Sequence, residues 1–187
     1  MLRVPITWTA GAGTPYYASL YYGGSTSGEA TAAHNATAAF MDAMEPHTID
    51  DLLWVVGSDV ESVDPATGNV LEVFPQTETV HQGTVGSDGV PWASQALFRW
   101  RTGTYVNGRE IRGRTFWPGI PEVTTVNGVL PSGVLTTFNG ILTAHLGSVG
   151  STAAGGRVVW SPTNGIAEIV NTATTWDQFA VLRTRRP

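Results

Sequence analysis

The sequence predicts an α+β fold: a predominantly antiparallel β sheet or sandwich with two helices packed on it. Three observations carry that expectation. Short runs of β-branched and aromatic residues recur along 187 residues, separated by turns drawn from 22 glycines and 11 prolines. Two longer segments place apolar residues at helical spacing, one of them behind a capping signal. No phosphate-loop or dinucleotide fingerprint interrupts the pattern, and GAG at 11–13 reads as a turn because the helix and spacing required after it are absent.

The elements follow in order. Ile6–Ala10 and Tyr16–Tyr22 read as short aromatic and β-branched strands split by the turn-rich GAGTP, hence a hairpin or meander. TSGE then offers a capping box, with Thr26 accepting from the backbone three residues on and Glu29 reaching back. The run GEATAAHNATAAFMDAM carries Ala32, Ala36, Ala39, Phe40 and Ala43 at helical spacing, and Pro46 ends it. DLLWVVG and VLEVFP, separated by DPATGN, have the pattern of a hairpin with a loop longer than two residues. TETVHQGTVGSDGVPW is polar and glycine-rich, a long loop with room for an irregular edge strand. ALFRWRTGTYV and REIRGRTFW flank Asn107-Gly108, the strongest two-residue hairpin signal in the chain. LPSGVLTTFNGILTAHLG reads as the second helix, with Val134, Leu135, Phe138, Ile141, Leu142 and Leu146 on one side and Gly147 as its stop. RVVWS, IAEIV and FAVLR read as closing strands.

Composition bounds the function. At 42% hydrophobic, residues 1–187 suit one domain that buries a core without staples. There is no cysteine, so neither a disulfide framework nor a thiolate metal site is available. No leader pattern opens the chain and no apolar run has the length of a membrane span, so the expectation is a soluble, unprocessed protein without a membrane partner. All ten basic residues are arginine, a planar bidentate group suited to contacts that exclude water. Residues 1–90 hold eleven acids and one arginine, whereas residues 91–187 hold nine arginines and four acids, against a net charge of -5. Such asymmetry points to charge-directed association, and net acidity argues against nucleic acid as the principal partner.

Catalytic constellations are sparse. His34, His47, His81 and His145 are far apart and none sits in an HExxH or Cys/His pattern, so structural or surface roles explain them. Glu45, Asp50 and Asp51 near His47 could bind a divalent ion, but helix-end acids in a solvated turn account for them. GTVGSDG at 83–89 could wrap calcium, yet too few carboxylates accompany Asp88. No GxSxG elbow places a nucleophile. Asn35-Ala36-Thr37 matches a glycosylation acceptor but falls inside the expected helix. Seven tryptophans and five tyrosines allow the alternative of a glycan-binding module of a host-recognition appendage, since flat aromatic faces stack on sugars; a small β-rich core uses the same residues. The expectation is a protein that is not an enzyme and needs no cofactor or metal.

The informative stretch is RWRTGTYVNGREIRGR, with Arg99, Arg101, Arg109, Arg112 and Arg114 within sixteen residues; Arg183, Arg185 and Arg186 form a second cluster at the end. Strand alternation puts Leu97, Arg99 and Arg101 on one face and Phe98, Trp100 and Thr102 on the other. Exposed ion pairs contribute only about 0 to 1 kcal/mol each, so monomer stability explains such a row poorly. Specificity in association explains it better, because charge complementarity fixes register and partner. An enzyme acting on an anionic substrate would need acid and base groups converging on the arginines, and only Glu110 is near in sequence.

GREIRGRTFWPGI, preceded by ALFRWRTG and followed at the end by VLRTRRP, resembles a pattern of small virion proteins of bacterial viruses. The matching positions are Thr102, Arg112, Gly113, Arg114, Phe116, Pro118, Gly119, Arg183, Arg185 and Arg186, within the C-terminal half. The resemblance implies a structural component of a phage particle, capsid or tail, located in the virion and assembled in the host cytoplasm without catalysis. Its expected partners are copies of itself and other virion proteins, or packaged nucleic acid if the arginines face inward.

Overall fold

A computed structural model describes residues 1–86, the backbone of 94–106, 109–118 and 156–162 with the Trp117 side chain, and helical residues at 136–138, 140–141 and 143–145. The chain is α+β, built mainly from antiparallel strands. A sheet of six strands contains β1 (Leu2–Ala10), β2 (Tyr16–Tyr22), β3 (Leu52–Val56), β4 (Asp59–Val63), β5 (Val70–Pro75) and β6 (Thr79–Gln82). A second sheet, of three strands, has β7 (Ser94–Val106) between β8 (Arg109–Pro118) and β9 (Gly156–Pro162).

β1 organises the first sheet, pairing with β2 as the expected hairpin and also with β3 and β4. Both β3 and β4 run antiparallel to β1, interrupted at Gly57-Ser58, where the Gly57 amide bonds the Pro5 carbonyl at 2.9 Å. Beyond that break β4 carries β5, while β3 carries the edge strand β6. This corrects one expectation: DPATGN joins β5 to β4, not to β3. The reason is that DVESV, with its acids and serine, is itself a strand; its valines turn inward while Glu61 pairs across to Arg3.

Helix α1 (Ser27–Met44) packs on this sheet. Its capping box forms as expected, and Pro46 lies in a 3-10 turn, Glu45–His47, that follows it. The buried stripe differs from the expected one. Ala32 and Ala39 are exposed, and Ala30, Ala33, His34, Ala36, Thr37, Phe40, Met41 and Met44 are buried. Two polar residues enter the core because partners await at least one of them: the Thr37 hydroxyl bonds the Ala33 carbonyl at 2.8 Å and the Tyr22 hydroxyl at 2.7 Å.

The core runs from Leu2, Val4 and Ile6 of β1 through Leu52, Trp54 and Val56 of β3 to α1, and it includes Trp117 and Phe138. Trp117 stacks on Trp54 with centroids 4.2 Å apart, meets the edge of Phe40 at 5.6 Å, and donates its indole N–H to the Thr48 hydroxyl at 2.7 Å. One tryptophan therefore ties the second sheet to the first. Phe138 and Ile141 pack on the same core from the second helical segment. Val134, Leu135, Leu142, Leu146 and the segments IAEIV and FAVLR lie outside the described residues.

Candidate functional site

The pairing of β7 with β8 brings Arg99 opposite Arg114 and Arg101 opposite Arg112. On the other side of β7, Arg99 lies opposite Arg157 of β9. Directly opposed residues in antiparallel strands share a face, as do residues two apart on one strand. Arg99, Arg101, Arg112, Arg114 and Arg157 therefore occupy one face of the second sheet, with Leu97 and Phe116.

Trp117 fixes which face this is. Its register partner is Ala96, itself opposite Trp160, so those three share the other face with Phe98, Trp100 and Val158. Trp117 is 1% exposed and sits in the core shared with the first sheet. At that end of the sheet the tryptophan face is turned inward, and the arginines belong to the reverse face.

Arg109 behaves differently from its neighbours. It pairs with Val106 beyond a register shift between Arg101 and Tyr105, and by alternation along β8 it has the opposite parity to Arg112 and Arg114. Glu110, opposite Tyr105, keeps the parity of Arg112. Arg183, Arg185 and Arg186 lie outside the described residues, as do Asn107 and Gly108, although Val106 opposite Arg109 is the pairing a two-residue hairpin requires. Arg157 was not singled out in the sequence, because it stands alone among apolar residues and only cross-strand register joins it to the row.

No family model, curated protein or solved structure matches the chain. Directly opposed like charges disfavour strand pairing, and the register sets arginine opposite arginine three times in this sheet.

Acids are available on the first sheet. Asp59, Glu72 and Glu78 are exposed on or beside β4, β5 and β6. The edge strand β5 also exposes Val70, Leu71 and Val73. Arg3, the arginine of the acidic half, is committed locally: its guanidinium bonds Glu61, which raises its pKa above the usual arginine range.

The histidines are placed as follows. His34 is buried in α1 with no partner for Nε2 among the described residues, and desolvation lowers its pKa. His47 meets the ring of Phe138 edge-on at 5.6 Å. His145 is buried beside Tyr22 and Phe40, and burial lowers its pKa to about 4. His81 lies between Asp42 and Glu45. The grouping weighed in the sequence, Glu45 with His47, Asp50 and Asp51, is replaced: among the described residues, Glu45 joins Asp42 and His81 instead. Tyr16 and Tyr17, both exposed, are consecutive on β2 and so fall on opposite faces, and Tyr16 stacks on Trp8 with centroids 4.3 Å apart. Among the described residues no helix is long and apolar enough to cross a membrane.

Proposed function

We propose that the protein is a non-enzymatic structural subunit of a bacterial virus particle, a capsid or tail component, that self-assembles through charge-complementary contacts. The observation that carries this reading is the arginine row of the β8-β7-β9 sheet, on the face opposite Trp117. Its cost within one chain is offset when carboxylates of a neighbouring copy lie across it, and in such a water-excluding contact each guanidinium can take a carboxylate bidentately. On β4 and β5 the exposed Val73 lies opposite Glu61 and shares a face with the exposed Asp59, a surface that joins apolar and acidic groups. The resemblance of GREIRGRTFWPGI and the arginine-rich end to small virion proteins supplies the particle context.

Size exclusion with light scattering at low and high salt tests this. The expected result is rings, shells or polymers that loosen as salt rises, because exposed charge pairing is screened over about 8 to 10 Å at physiological ionic strength. Arg112→Glu with Arg114→Glu should leave monomers at low salt. Assembly untouched by that double reversal would overturn the proposal.

A further inference from the structure

We propose that Asp42, Glu45 and His81 form a binding site for a divalent transition metal of the Zn2+ type, clipping the end of α1 to the edge strand β6. This inference is independent of the arginine face. Asp42 and Glu45 stand three residues apart at the end of α1 and therefore project on one side of it. His81 lies opposite Trp54 across the β3–β6 pair and is 5% exposed, so its ring sits beneath the helix end.

The distances suit a metal. His81 Nδ1 is 2.8 Å from Asp42 Oδ1 and 3.4 Å from Glu45 Oε1, and the three donor atoms lie within 4.8 Å of one another. Bonds of about 2.0 to 2.2 Å to imidazole nitrogen and carboxylate oxygen separate neighbouring ligand atoms by roughly 2.9 Å in an octahedron and roughly 3.4 Å in a tetrahedron. An ion thus enters with small side-chain adjustments. Because a carboxylate only accepts, the Asp42 contact requires a proton on Nδ1 in the metal-free protein. A metal on Nδ1 requires the neutral tautomer with its proton on Nε2, so that proton moves by way of solvent from Nδ1 to Nε2, which then donates to the Thr79 hydroxyl 2.9 Å away. Glu45 Oε1 is steadied by the Gln82 amide at 3.3 Å.

Electrostatics point to the same ligand class. Both carboxylates stand at the negative end of the α1 dipole, and the last turn carries no basic residue. The site thus sets two carboxylates and one imidazole around a common point. Asp42 is 67% exposed, which leaves a path from solvent and room for water in the remaining coordination positions. An imidazole ligand selects against Ca2+ and Mg2+, which take oxygen shells.

The test is calorimetric titration of the full chain with Zn2+, with Co2+ absorption as a second probe. The expected result is one equivalent bound, a raised Tm, and a visible Co2+ band typical of nitrogen and oxygen ligands. Asp42→Asn and Glu45→Gln should each weaken binding about tenfold or more, and His81→Gln should abolish it. Asp42→Asn changes an exposed carboxylate, so its circular dichroism should match the parent even if the other variants fold poorly. No stoichiometric Zn2+ or Co2+ binding by the parent chain, or parental affinity in Asp42→Asn, would overturn the site.

Discussion

His145 shows how a polar residue is held in this core. Its Nδ1–H donates to the Ala36 carbonyl at 3.2 Å, and Nε2 of the neutral ring stands 3.4 Å from the Tyr22 hydroxyl, whose single proton goes to Thr37. Thr37 donates to the Ala33 carbonyl, which leaves its oxygen to accept from Tyr22 at 2.7 Å. Desolvation disfavours the charged ring and lowers its pKa to about 4, and desolvation likewise raises that of Tyr22. The sign follows from proton counting. Between the unfolded value near 6.5 and about 4, the unfolded chain binds the His145 proton and the folded chain does not, so stability falls as pH falls through that window. The difference is on the order of 3 kcal/mol at its limit, and His34 acts in the same direction. Tyr22 works at the other end, with stability lost above its ordinary value of 10.0 as the unfolded chain ionises first. Urea unfolding from pH 4 to 7 should show this slope, and His145→Gln should flatten it; a slope unchanged in that variant would assign it to other groups.

Elements became legible in the sequence where their signals are local. Thr26 and Glu29 announce α1: the Glu29 carboxylate accepts from the Ser25 and Thr26 amides at 2.9 and 3.0 Å, and the Thr26 oxygen accepts from the Glu29 amide at 3.4 Å. Thr26→Ala should cost about 1 kcal/mol, and Thr26→Ser much less, as read by urea denaturation. The β1–β2 hairpin was readable for the same reason, since a glycine turn joins two aromatic runs. What failed was non-local. β4 escaped notice because Asp59, Glu61 and Ser62 mask its valines, and the partner of β5 was misassigned with it. The buried face of α1 was displaced because Thr37 is satisfied by Tyr22, a contact across 15 residues. The segment after β6 turns on Gly83, where any Cβ would overlap the Ile49 carbonyl oxygen; its glycine marked a loop in the sequence but not the Ile49–Leu52 segment it closes against.

For the whole molecule, the charge split and the arginine hairpin were visible without coordinates, since two-residue alternation already joins Arg99 to Arg101. Register added what alternation cannot: Arg157 enters the row from β9, and Arg109 leaves it past the irregularity. The pairing of Asp42 with His81, 39 residues apart, was equally invisible. The orientation of the arginine face depends on one side chain described in both environments. Trp117 belongs to β8 but is buried against Trp54, Phe40 and Thr48 of the first sheet and its helix region. Trp117→Ala removes the stacked ring and leaves Thr48 without its indole donor, and should cost about 3 to 5 kcal/mol. Trp117→Phe keeps most of the apolar burial and should cost less. If assembly requires the arginines to be presented rigidly on the face opposite Trp117, the alanine variant should also need lower salt to assemble than the parent at the same concentration. Light scattering at a temperature where circular dichroism shows both variants folded separates presentation from simple unfolding. Parental assembly in a folded Trp117→Ala variant would mean that the arginine row is presented independently of the core contact.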